Sequence, residues 1–191
     1  MVDKKFTYIH ETMLSEKYWG EVVVLLFICA DEFVTSLHSR TSTTQVDFQE
    51  RLPSSIEPYF SKIKEQSCIL VSESNDMGVY SDSSIVGFLS YIKGYSVKDF
   101  NVPVDNIYVS TFCIAPFLRR EGLAETLFKK IEDMHEGSFM FTRTWNSNFS
   151  CISLLRKRGF RLLHTIKNDR DDGIDTVYYG KVLNGAGNDS K

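Results

Sequence analysis

The segment Ile107 to Ile114, "IYVSTFCI", followed by an amphipathic stretch and then by "SFMFTRT", restricts the fold more than any other feature of the chain. The first run is rich in β-branched and aromatic residues and reads as a central strand, ended by Pro116. Ala124, Leu127, Phe128, Ile131 and Met134 then recur at spacings of three and four, which marks one apolar face of a helix. Gly137 is a natural stop for it. Ser138 to Thr144 alternates apolar and polar residues and reads as the next strand. A strand, a helix and a strand in that order bring the chain back to the same end of the sheet. The two strands then pair in parallel with a right-handed crossover.

The remaining elements surround this unit. Phe6 to Glu11 alternates and predicts a strand. Ser15 to about Ser39 predicts a helix, although Val22, Val23 and Val24 would also suit a strand. Val46 to Lys64 carries a helical pattern broken at Pro53, which suggests two short helices joined there. Cys68 to Ser72 and Ser84 to Ile92 read as an antiparallel pair around the turn-rich "ESNDMGVYSDSS", and Lys93 to Asp105 as a polar loop. Ser147 or Asn148 can cap a helix with Phe149, Ile152 and Leu155 on one face. Arg156, Lys157 and Arg158 fall in its last turn and Gly159 just beyond. Phe160 to Lys167 and Thr176 to Val182 form a last hairpin around the charged turn "NDRDDG". The pattern is mixed α/β. Residues 1–182 read as a single domain, and 183–191 as a tail expected to be disordered.

The length of 191 residues fits one core. A net charge of -3 speaks against general nucleic-acid binding. Cys29, Cys68, Cys113 and Cys151 are widely separated, with no CxxC pair, and read as buried free thiols of a reducing compartment. His10, His38, His135 and His164 lack ligand spacing, so no metal is expected. No secretory leader is evident, and the longest apolar run, Val22 to Ala30, is about half of a membrane span. The expectation is a soluble, cytoplasmic protein with no membrane partner.

The stretch "LRREGLAETLFKK", Leu118 to Lys130, carries the first chemical signal. A helix N-terminus leaves about four amides without partners and adds about half a positive charge. Gly122 lets a ligand approach the backbone, Ala124 keeps the next position small, and Arg119 and Arg120 add charge. A solvated corner is the competing reading, and Glu121 and Glu125 place carboxylates near the proposed anion. There is no GxxxxGK[ST] and no GxGxxG, so neither a P-loop nor the dinucleotide fingerprint is present.

"FCIAPFLRREGLAETLF" resembles the acyl-coenzyme A motif of the GNAT superfamily of N-acetyltransferases, Gln/Arg-x-x-Gly-x-Gly/Ala between a strand and a helix. Here it reads Arg119-x-x-Gly122-x-Ala124. A second element of that superfamily is matched in spacing by Asn148, Cys151, Leu155, Gly159 and Phe160, with Leu155 where a tyrosine is common. The element order fits the fold from about Phe6 to Val182. The resemblance implies a mostly antiparallel, twisted sheet flanked by helices, with a V-shaped splay between two central parallel strands. Acetyl-coenzyme A would lie in the splay as cosubstrate, without a metal. Its pyrophosphate would sit on amides from Arg120 to Ala124, including Leu123, near Arg119. Its pantetheine would pair with the main chain of Phe112, Cys113 and Ile114 and meet Asn148.

The resemblance further implies direct attack of an amine on the thioester, with a base for the amine and an acid for the thiolate. Leu155 cannot be that acid. Tyr108 stands at the strand position where some members carry a glutamate base. Glu32, in "ADEFVTSL", is a second candidate for handling the amine's proton, and Ser150 or Ser153 for protonating the thiolate. The implied function is acetyl transfer to a primary amine of a small molecule or peptide, by a monomer or homodimer. A catalytically silent coenzyme A sensor or scaffold on the same fold is the alternative, and a plain interaction module a third. The acceptor pocket would draw on the first helices, the Lys93–Asp105 loop and the last hairpin.

Overall fold

The structure is a computed structural model that describes residues 5–32, 57–74 and 84–183. Its seven strands are β1 Lys5–Glu11, β2 Ser67–Ser74, β3 Ser84–Lys93, β4 Asn106–Ile114, β5 Phe139–Trp145, β6 Arg161–Asp171 and β7 Ile174–Val182. Four helices accompany them: α1 Glu16–Ile28, α2 Glu57–Lys64, α3 Leu123–Met134 and α4 Phe149–Lys157. The strands form one sheet in the order β1-β2-β3-β4-β5-β7-β6. Every neighbouring pair is antiparallel except β4 with β5, the pair the strand–helix–strand order demands.

The parallel pairing is short. It runs from Asn106 opposite Phe139 to Val109 opposite Thr142 and stops there, while both strands continue. At the last rung the Thr142 hydroxyl donates to the Val109 carbonyl at 2.8 Å, satisfying a group that the ladder leaves behind. A register shift between β3 and β4 places Ser90 opposite Thr111 but Tyr91 opposite Val109, so Ser110 is the extra residue of a bulge. Bulges bend and twist a strand locally. Beyond that point β4 and β5 diverge into the expected V.

The core explains why the helices hold this geometry. Leu127, Phe128 and Ile131 of α3 are buried, as are Cys151, Ile152 and Leu155 of α4. Phe128 meets Phe112 of β4 and Phe160 edge-on, with ring centroids 5.3 and 5.9 Å apart. Such pairs add about 0.5–1.5 kcal/mol each beyond area burial. Val22, Leu25 and Leu26 are the buried stripe of α1. A second aromatic cluster of Tyr108, Phe141 and Tyr178 is joined by Tyr95 and Phe100 from the 93–105 loop.

Three expectations change. The first helix ends at Ile28 rather than running to Ser39: Cys29 closes it and a 3-10 turn, Ala30–Glu32, follows. The Glu32 amide bonds back to the Cys29 carbonyl at 3.1 Å, which tightens the chain into that turn. Residues 33–39 and the expected break at Pro53 lie outside the described residues, as does the tail beyond Leu183. The last hairpin is also longer than "NDRDDG" suggested. β6 continues to Asp171, opposite Ile174, with a register irregularity after Ile166. Within that irregularity Asp169 and Arg170 are buried rather than solvated. Thr176 donates to the Asp169 carboxylate at 2.6 Å, and the Arg170 Nε donates to the same hydroxyl at 3.0 Å. Among the described residues no helix is long and apolar enough to cross a membrane.

Candidate active site

The splay opens into a cleft of about 750 Å³. One wall is the far half of β4, from Ser110 to Ile114; the other is Thr142 to Trp145 of β5. The start of α3 and the first turns of α4 close the sides through Gly122, Leu123, Ala124, Asn148, Ser150 and Ser153. Cys29 and Glu32 reach it from the end of α1.

The free edge of β4 has a definite polarity. The Ala115 amide donates to Val86 of β3 at 2.8 Å. Main-chain groups alternate along an antiparallel strand, so those of Cys113 also face β3, while those of Phe112 and Ile114 face the gap. The Cys113 side chain instead meets Cys29.

At the mouth, Gly122 is the residue before α3 and adopts a left-handed φ of 77°. Arg120, at φ 69°, shares that conformation, uncommon outside glycine. Thr126 makes the first helical bond, to the Gly122 carbonyl at 3.1 Å. The amides of Leu123, Ala124 and Glu125 therefore have no acceptor within the helix. A Cβ built on Gly122 would meet no atom within 4 Å, so the space before this turn is open. Open space, unused amides and a helix dipole make a fitting cradle for a pyrophosphate.

Arg119 and Glu32 are bound to each other. The Arg119 guanidinium lies 2.6 Å from the Glu32 carboxylate, and its Nε donates to the Ile114 carbonyl at 3.2 Å. The same terminal nitrogen that meets Glu32, Nη2, also sits 3.7 Å from the Cys29 sulfur. Arg119 thus ties the end of α1 to the end of β4 and to the turn before α3. The Cys29 thiol is lowered to about 7, first by a hydrogen bond from Cys113 and then by the Arg119 charge, against the cost of burial. Cys113, the donor of that bond, is held well above the ordinary thiol range.

Asn148 caps α4: its side-chain oxygen accepts from the Cys151 amide at 3.2 Å, and its Nδ2 donates to the Thr144 hydroxyl at 3.1 Å. It pins α4 to β5 on the cleft wall. Leu155 is fully buried in the core, so no side chain from that position reaches the cleft. Ser153 is exposed on the wall. Tyr108 is buried, stacked on Tyr95 with centroids 4.3 Å apart, and burial pushes its hydroxyl up to about 12. It is protonated at any physiological pH. Among the described residues no cluster of His, Cys, Asp and Glu could hold a metal.

Several cleft residues were not singled out from the sequence: Cys29, Ser110, Thr142, Arg143 and Trp145. Arg143 did leave a trace, as a charged residue on the alternating face that carries Phe139 and Phe141. The partnership of Arg119 with Glu32 left none, since the two are far apart in the chain.

A family model described as "Acetyltransferase (GNAT) family" matches residues 35–160, the greater part of the chain. No curated protein matches the sequence. Among solved structures, the ribosomal-protein-S18-alanine N-acetyltransferase from Escherichia coli is similar, at 14% identity and TM-score 0.58, covering 97% of this chain and 99% of that one. NAA60 from Arabidopsis thaliana, solved with a bisubstrate analogue, is 13% identical with TM-score 0.60, covering 94% and 100%. A GNAT family acetyltransferase from Bacillus cereus is 18% identical with TM-score 0.55, covering 94% and 97%. At these identities the likeness is one of fold, carried by very different sequences. The family match adds what the fold alone does not: the chain belongs to the GNAT family of acetyltransferases and is an acyltransferase.

Proposed function

We propose that the protein moves an acetyl group from acetyl-coenzyme A to a primary amine by direct attack of the amine on the thioester. The observation that carries this reading is the pairing of an open β4 edge, the Phe112 main chain and the Ile114 amide, with an unobstructed α3 N-terminus at Gly122, at the two ends of one cleft. An extended chain ending in a pyrophosphate fits that pairing. The amides of Leu123, Ala124 and Glu125 hold the phosphates, with Arg120 at the rim. Phe112 and Ile114 bind the pantetheine main chain to main chain, and Asn148 keeps α4 at the right distance from it. Arg119 and Glu32 act as a positioning pair that fixes the turn.

The incoming amine must lose a proton. Tyr108 is protonated and walled in, so it shapes the site and does not act as the base. The hydroxyls of Ser110, Thr111, Thr142, Ser150 and Ser153 line the cleft and can order water to carry the proton out. Ser153, exposed on the α4 wall, is the donor for the leaving thiolate. Main-chain amides at the free β4 edge serve the oxyanion. The four free cysteines fit a reducing, cytoplasmic setting.

The test is release of free thiol from acetyl-coenzyme A with a panel of polyamines, arylalkylamines, aminoglycosides, amino acids and peptide N-termini. Amine-dependent release with at least one class is expected. A protein that binds acetyl-coenzyme A yet releases no thiol with any class contradicts the transfer reading.

A further inference from the structure

We propose that the acceptor amine carries a carboxylate close to its nitrogen, and that Arg143 is the residue that selects it. This rests on the acetyl-transfer reading above.

Arg143 is the first residue of β5 after the pairing with β4 ends at Thr142. By strand alternation its side chain lies on the face of Phe139 and Phe141, opposite Thr142 and Thr144, and Thr144 bonds to Asn148 of α4. The donor subsite lies on the α3 and α4 side of the V. A second reactant must therefore approach the same point from the other side of the sheet, where Arg143 stands.

The surroundings there suit an anion. Arg143 lines the cleft, so a ligand can reach it. It is set among aromatic rings: it donates to the Tyr178 hydroxyl, and Tyr108 and Tyr95 act on its charge. Arg170, buried behind that wall with its guanidinium 5.7 Å from the Trp145 ring centroid, adds a second positive charge that acts on Tyr108. Asp99 of the 93–105 loop acts on Tyr178 at the outer side of this face, while Glu32 pairs with Arg119 and Asp169 accepts from Thr176. A guanidinium is a rigid fork matched to a carboxylate, and apolar walls strengthen that match and exclude water. An amine that presents a carboxylate to Arg143 is also held in register with the thioester by one contact.

The carboxylate can be the α-carboxylate of a free amino acid or the side chain of an acidic peptide N-terminus. Calorimetric titration of the coenzyme A-loaded protein with acetylated products separates them. One arm compares N-acetylphenylalanine and N-acetylglutamate with their α-carboxamides. The other compares an N-acetyl-aspartyl peptide amide with its asparaginyl analogue. In one arm the acid is expected to bind at least about thirtyfold tighter than its amide, as for other buried charge pairs. Arg143→Gln removes that preference, and Arg143→Lys reduces it by removing the fork, while both variants still take up coenzyme A. Acids and amides that bind alike in both arms, acids that fail to bind to loaded protein, or a preference that survives Arg143→Gln overturn the inference. Failure of the protein to take up coenzyme A at all is a different result, and it counts against the acetyl-transfer reading.

Discussion

Gly122 shows most plainly how one residue type serves the site. At φ 77° an L-residue is strained by about 1–2 kcal/mol, yet a Cβ there touches nothing in the protein. Gly122→Ala should therefore lower stability by only about 1 kcal/mol, read as a small drop in Tm. It should weaken acetyl-coenzyme A binding by a larger factor, because the added methyl lies where the pyrophosphate must approach. Cys29 offers a second residue-scale test. Its thiol, although buried, turns to thiolate as pH rises through about 7, well below the ordinary thiol value of about 8.5. Cys68 and Cys151 are pushed by burial up to about 12 and about 11. Iodoacetamide should modify Cys29 first, with a midpoint near pH 7, and bound acetyl-coenzyme A should slow the reaction. A midpoint above pH 8, or no protection, contradicts the arrangement of Cys29, Cys113 and Arg119. Ser153→Ala should lower kcat at least about tenfold if its hydroxyl protonates the thiolate, leaving the KM for acetyl-coenzyme A nearly unchanged. At this scale the sequence was legible where a residue acts locally. The capping role of Asn148 follows from its place before an apolar helical run. The Arg119–Glu32 bond does not, because a salt bridge between distant segments has no periodicity to betray it.

Elements follow from pattern where one face is buried and lose definition where tertiary contacts override it. α3 and the strands β4 and β5 are readable from their periodicities of 3.6 and 2. The end of α1 is not, since apolar residues continue past the point where Cys29 turns the chain. The burial of Asp169 and Arg170 was equally hidden: two charges in a Gly- and Asp-rich stretch look like a solvated turn until Thr176 is seen between them. A further charged group organises the helices behind the cleft. The two carboxylate oxygens of Glu132 on α3 take the Arg158 Nε at 3.0 Å and a terminal nitrogen at 2.7 Å, and Lys181 of β7 lies 2.9 Å away. All three side chains are mostly buried. Glu132→Gln leaves two cations facing each other and should cost about 1–3 kcal/mol in denaturant unfolding. A change indistinguishable from zero contradicts a structural role for this group.

At the scale of the molecule the fold is a way of opening a sheet. Parallel pairing limited to the rungs from Asn106 to Val109, a bulge at Ser110 and a threonine that caps the last carbonyl divide β4 from β5. The two diverging strands then become the walls of a site. The order of elements predicted the parallel pair, and the resemblance predicted its splay. The bulge that marks the splay was not readable, because one extra residue in a strand has no mark of its own. The central claim is that this opening seats acetyl-coenzyme A with its pyrophosphate on the turn before α3. Calorimetric titration of acetyl-coenzyme A into the wild-type protein and into Gly122→Val tests it most directly. The account predicts one saturable site per chain in the wild type, with affinity reduced at least about a hundredfold in a variant that remains folded. Equal affinity in both proteins, or no binding to the wild type, contradicts it.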